Sequence, residues 1–379
     1  MQEITQVPPL DLKRQYQPLA KEITSTFERI FQSGGFILGP DVTGLEQDLA
    51  QYLSAKKTVG VTSGTDALWL ALKAVDIKPG DKVLTSPFTF FATVSAICNA
   101  GAIPVFADID PETFNIDPKH VESILENDKE RKIKAIMPVH LYGQSADMTP
   151  LLTTADKYNI FVIEDACQAI GTRHEKGVVG TLGHLGAFSL FPTKNLGAFG
   201  DAGFVSTNDI SLANKVTLLR THGSTVRYIH EIIGNNCRID TLQAAILRVL
   251  LPHLNHWISL RQKAADYYDE QLAIVNEQIQ TPLRVSYSNH TFHQYTIRVK
   301  NQKRNSLSEH LTQNRIGNSI YYPIPCHLQK AVAHLGFAKG EFPKAESAAE
   351  EVLSLPIFPG IAREEQDYVV QAIKRWATH

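Results

Sequence analysis

The sequence holds little that would carry the chain into a membrane, out of the cell or onto a charged polymer. Its first twenty residues, MQEITQVPPLDLKRQYQPLA, lack the basic n-region and the apolar h-region of a signal peptide. No run approaches eighteen consecutive apolar residues, so no membrane-spanning helix is expected. The two absences predict a cytoplasmic protein with no membrane partner. Cysteine is scarce: Cys98, Cys167, Cys237 and Cys326 are widely spaced and form no CxxC pair. Neither a zinc knuckle nor a redox couple is indicated; buried, reduced thiols and no metal site are expected. An excess of one charge is also missing. The 37 basic and 39 acidic residues leave a formal charge of −2, too balanced to draw the chain to nucleic-acid phosphates. With 43% hydrophobic and 20% charged residues, the composition is that of a folded globular protein rather than a disordered one.

What is present is an alternation of short β-branched runs with longer amphipathic segments, the pattern of βα units on a mainly parallel sheet. Strands are predicted at Lys57 to Val61, Lys82 to Ser86, Ile103 to Ala107, Ile133 to Val139, Phe161 to Glu164, Gly186 to Phe191 and Gly203 to Thr207. Helices are predicted at Asp66 to Val75, Phe91 to Ala100 and Thr149 to Tyr158. A long helical pattern from Asp240 to Asn276, broken by Pro252, carries the chain out of this domain, because proline removes a backbone donor inside a helix. Beyond it, His293 to Val299 and Asn305 to Asn314 indicate a smaller α+β domain. The length suits two domains, or one with an appendage.

Three segments carry chemistry. In EDACQAIG an apolar strand runs into Asp165, which either caps a following helix or faces a ligand crevice at the strand's carboxyl end. A carboxylate there would favour a protonated pyridine ring. In SLFPTKNLGAFGDAG, Lys194 is followed by Gly197, Gly200 and Gly203, which permit close backbone approach, and Ser189 offers a hydroxyl upstream. Such a lysine is either solvated or an amine kept partly neutral for condensation with an aldehyde. In SGTDALWLAL, Gly64 and Thr65 open a helix whose free amides suit a phosphate. That turn has neither a GxGxxG fingerprint nor a P-loop ending.

Taken together, PPLDLKRQY, SGGFILGPDV, SGTDAL, PFTFFAT, EDACQA, FPTKNLGAFGDAG, GNNCRIDTLQAAIL and YYPIPCHLQ resemble the DegT/DnrJ/StrS sugar aminotransferases over nearly the whole chain. The resemblance implies an α/β fold of pyridoxal phosphate type I, like that of aspartate aminotransferase. It divides the chain into a large mainly parallel-sheet domain with an N-terminal arm (1–250) and a smaller C-terminal α+β domain (251–379). It makes Lys194 the Schiff-base lysine, Asp165 the partner of the pyridine nitrogen and Gln168 a donor to the cofactor's phenolic oxygen. Gly64, Thr65 and Ser189 would hold the phosphate. Phe90 would stack on the ring where relatives often have Trp or Tyr, while Phe88 and Phe91 fit ordinary core packing.

Asn236 would reach the phosphate of a neighbouring subunit's cofactor, which implies a homodimer with shared sites; the plain alternative is a cap for the helix near Asp240. Arg238, His222, His230, Tyr321 and His327 are candidate substrate contacts, although histidines beside apolar residues are often structural. The implied activity is amino transfer from L-glutamate, which leaves as 2-oxoglutarate, to a nucleotide-linked keto sugar in amino-sugar and polysaccharide biosynthesis. RTHGSTVRYIH and YYPIPCHLQ lean toward C3 of the sugar. The rivals within the family are a dehydratase, which carries histidine in place of the lysine, and a regulatory protein without turnover.

Overall fold

The computed structural model describes residues 4–378, so the outermost ends of the two expected domains, 1–3 and 379, lie outside the described residues. Seven strands form the main sheet: β1 (Lys57–Val61), β2 (Lys82–Thr85), β3 (Ile103–Phe106), β4 (Ile133–Met137), β5 (Phe161–Asp165), β6 (Leu185–Ser189) and β7 (Gly203–Thr207). Their order across the sheet is β1-β7-β6-β5-β4-β2-β3. All pairings are parallel except those of β7, which runs antiparallel to both β1 and β6.

Side chains alternate across this sheet with the period of two that a strand imposes. Phe188 and Phe204 point to one face, their rings stacked at 4.4 Å. There they meet Leu45, Leu49 and Leu53 of helix α1 (Pro40–Leu53). Ala187 and Val205 point to the other face, onto Leu68, Ala71 and Leu72 of helix α2 (Gly64–Ala74). Helix α2 is made of strong helix formers and is capped by Ser63, whose hydroxyl accepts from the Asp66 amide at 3.1 Å. Helix α3 (Ala92–Asn99) follows β2. Both faces are thus covered, as a parallel sheet requires.

Pro252 sits in a single 3₁₀ turn, Leu251–His253, between helix α4 (Thr241–Leu250) and helix α5 (Leu254–Leu272). A proline near the start of a turn gives up an amide that has no partner there anyway. Helix α5 joins the two parts of the molecule: Leu254, Trp257 and Ile258 belong to the first core, Ala264, Ala265, Tyr268 and Leu272 to a second. That second core also holds an antiparallel sheet of β8 (Ile279–Gln280), β9 (Tyr295–Val299) and β10 (Val352–Leu355). Helices α6 (Arg304–Gln313) and α8 (Arg363–Ala377) cover it, and helix α7 (Pro343–Glu351) leads into β10. Val7 joins it too, bonded to the Arg315 carbonyl at 3.0 Å, so the N-terminal segment packs with the C-terminal part. All four cysteines are free; Cys237 and Cys326 are buried, whereas Cys98 and Cys167 are only half-buried, short of the full burial expected of them. Among the described residues no helix is long and apolar enough to cross a membrane.

Candidate active site

The turns that leave β1, β2, β5 and β6 enclose a cavity of about 550 Å³, closed on its far side by His293, Gln294, Tyr321 and Tyr322 from the C-terminal part. Gly64, Thr65, Phe90, Asp165, Gln168, Ser189, Lys194 and Tyr321 all line it. Residues dispersed along the chain converge because a parallel sheet delivers its carboxyl ends to one edge.

Asp165 ends β5 and is buried. Its carboxylate accepts from Thr93 Oγ1 at 2.7 Å and from the Cys167 amide at 3.2 Å. A turn rather than a helix follows, so Asp165 is not a helix cap. Both donors are neutral. The neighbouring Glu164 has a different task. Fully buried, it accepts from the amides of Gly180, Leu182 and Gly183, each at 2.7 Å, and meets His140 Nε2 at 3.0 Å. The Ala146 amide donates to His140 Nδ1 at 3.1 Å, so Nε2 carries the proton and donates to Glu164. This network anchors the end of β5.

Lys194 lies in the loop after β6, its amide bonded to the Phe191 carbonyl at 2.8 Å. Burial of the amine in the cavity pushes its pKa below the ordinary lysine value, against the opposing pull of Cys167 and Asp165. An amine so placed spends more time neutral. At the opening of α2 the Asp66 amide is taken by Ser63, and the Gly64 and Thr65 amides belong to the helix's first turn, which has no internal acceptors for them. The Ser189 side chain approaches the same point: a Cβ on Gly64 would stand 2.7 Å from Ser189 Cβ and 2.9 Å from Cys167 Sγ. Only glycine allows that approach. Gln168 Oε1 accepts from the Tyr142 amide at 2.9 Å and Nε2 donates to the Tyr322 hydroxyl at 3.0 Å. The exposed ring of Phe90 is 5.9 Å from that of Tyr322, centroid to centroid.

The other candidates lie elsewhere. His327 lies outside the cavity, its ring buried against Phe106 and Phe342 and bonded to Glu346 at 3.1 Å. His222 and His230 lie outside the cavity, at the base and on the arm of an exposed hairpin, with His230 Nδ1 donating to the His222 carbonyl at 2.9 Å. Asn236 is exposed and does not cap α4, whose N-cap is Asp240. Arg238 pairs through its backbone with Val61 at the end of β1. Thr93, Cys167, His293 and Tyr322 were missed in the sequence. Tyr322 had a signal, as the neighbour of Tyr321 in YYPIP, and His293 had another, as a histidine opening a strand.

The sequence profile of the DegT/DnrJ/EryC1/StrS aminotransferase family matches residues 17–374. The chain belongs to that family. It is accordingly an enzyme of a pyridoxal-phosphate-dependent aminotransferase family with an α/β fold. A protein of Geobacillus stearothermophilus named a pleiotropic regulatory protein is 48% identical over 374 residues, covering 98% of this chain and 99% of its own. A UDP-N-acetyl-3-dehydro-alpha-D-glucosamine 3-aminotransferase of Acidithiobacillus ferrooxidans is 41% identical over 99% of both chains. Among solved structures, DesV of S. venezuelae, captured with a ketimine intermediate, superposes with a TM-score of 0.95 at 38% identity, covering 99% of this chain and 100% of its own.

Proposed function

We propose that this enzyme moves an amino group from L-glutamate to C3 of a nucleotide-linked keto sugar, with pyridoxal phosphate held in the cavity described above. The observation that carries the proposal is the convergence on one cavity of a lysine with a lowered pKa, a buried carboxylate and a helix N-terminus. The C3 position is supported by the activity named for the Acidithiobacillus relative and by the segments RTHGSTVRYIH and YYPIPCHLQ. An intact Lys194 favours amino transfer over the dehydratase alternative.

The lining fits the cofactor. Lys194 would tether it, Asp165 would hold the ring N–H, Gln168 would reach the phenolic oxygen, and Gly64, Thr65 and Ser189 would take the phosphate, with Phe90 against the ring face. When bound, the cofactor supplies a cationic ring that withdraws electrons from the carbon that loses its proton. Asp165 keeps the proton on that ring, and Thr93 holds Asp165 in place. The Lys194 amine would take the proton from the glutamate α-carbon in the first half of the exchange and deliver a proton to the sugar carbon in the second. The exchange balances: glutamate gains the carbonyl oxygen and leaves as 2-oxoglutarate, while the sugar carbon gains the amine and a hydrogen.

A second copy of the chain completes each site in this proposal, with Asn236 reaching the partner's phosphate. Exposed apolar residues near it, Tyr228, Ile229 and Ile233, suit burial against that copy. Borohydride reduction of the cofactor-loaded protein followed by peptide mapping should label Lys194 alone. A label on another lysine would refute the assignment.

A further inference from the structure

Two buried polar atoms behind the cavity lack partners, and they are complementary. His293 Nδ1 is buried without a hydrogen bond, and so is Arg261 Nε. Arg261 lies in α5 and is buried; its Nη1 donates to the carbonyls of Phe292, at 3.1 Å, and of Ile357, at 2.9 Å. Its charge is therefore anchored on the residue just before His293. Phe292 itself holds a φ of 48°, a left-handed conformation that is costly for an aromatic residue and tends to persist where the surroundings demand it. Past this bend His293 lines the cavity with Lys194. An unpaired guanidinium N–H is a donor, and a neutral imidazole offers one acceptor nitrogen. Leaving both unmet in the core is costly.

We propose that one buried water bridges Arg261 Nε–H to His293 Nδ1 and so fixes the imidazole with its Nε2–H turned toward Lys194, where it supports the neutral amine. His293 is then a positioning residue for the lysine, and Arg261 sets its tautomer. Burial and the two flanking cations push the imidazole well below the ordinary histidine range, so it stays neutral and cannot switch roles with pH. The other groups around the lysine are Asp165 and Cys167 from the turn after β5, Asp201 from the glycine-rich loop, and Tyr321 and Tyr322 from the C-terminal part. Asp165 favours the ammonium form, and His293 opposes it.

The inference rests on the proposal that Lys194 is the reacting amine, yet it can be tested without cofactor. The pH midpoint of Lys194 labelling by a small amine-acylating reagent, followed by peptide mass spectrometry, should rise by about one pH unit in apo His293→Phe, a tenfold loss of neutral amine. His293→Gln, which keeps an N–H, should stay near wild type. An unchanged or lower midpoint in His293→Phe, or an equal rise in both variants, overturns the role. Nitrogen-15 NMR of labelled histidine in the wild-type apoprotein gives a check that needs no variant: Nε2–H is expected, and Nδ1–H would refute the relay. Borohydride labelling of a different lysine would instead overturn the proposed function, whatever the midpoints.

Discussion

Thr93 Oγ1 donates to Asp165 Oδ2 at 2.7 Å, tying helix α3 to the end of β5 inside the protein. Thr93 has one hydroxyl proton and gives it to Asp165, so in its 2.9 Å contact with Thr89 the Thr89 hydroxyl is the donor. The carboxylate is therefore oriented by a short chain of hydroxyls and the Cys167 amide rather than by a cation.

That arrangement predicts a graded loss. Thr93→Val removes one hydrogen bond to a charged group and should lower kcat about tenfold. Asp165→Asn, which removes the charge itself, should lower it a hundredfold or more while the circular dichroism stays native. Near-normal turnover in Asp165→Asn would show that the carboxylate does not serve the cofactor ring.

A second prediction concerns acid stability. Burial, helped by Arg284, pushes the His290 imidazole down to about 3; its Nδ1 accepts from the Phe292 amide at 3.0 Å. Above the ordinary histidine value both folded and unfolded chains hold it neutral. As the pH falls below about 6.5 the unfolded chain binds a proton that the folded one refuses, so stability drops by up to about 1.4 kcal/mol per pH unit from this group until its folded pKa is reached. Urea unfolding at pH 7 and pH 5 should show a smaller difference for His290→Asn than for wild type. An identical difference would mean that the ring protonates in the folded state.

A third concerns the shared site. Lys194→Ala and Asn236→Ala proteins, each impaired alone, should recover activity when mixed and allowed to exchange subunits. One site of a mixed dimer carries both changes and the other neither, so mixed dimers should approach half of wild-type activity. In the proposed dimer a hydrogen bond from Asn236 to a charged phosphate would be worth roughly 1.5 to 3 kcal/mol, so the assay belongs at limiting pyridoxal phosphate. No recovery despite confirmed exchange would leave Asn236 outside the active site.

Much of the fold was legible because the signals are local. Strands β1 and β7 begin and end where their β-branched runs do, and α2 starts two residues before its expected position because Ser63, just upstream, supplies the cap. β6 stops at Ser189, short of the expected Phe191, because the chain leaves the ladder there for the lysine loop. A histidine beside proline and cysteine looks the same in sequence whether it faces a cavity or packs, as His327 does, against Phe342.

The sequence by itself determined the alternation of strands and helices and the lysine, carboxylate and small-residue turns that line the cavity. Each follows from neighbouring residues: side-chain periodicity, capping and the freedom of glycine. Only the tertiary structure decided that β7 runs antiparallel, that the N-terminal segment packs with the C-terminal core, and that His293 and Tyr322 close the cavity over Lys194 and Gln168. Those contacts join residues far apart in the chain. Their energy comes from docking one buried core against another, and no local pattern encodes where a distant surface will land.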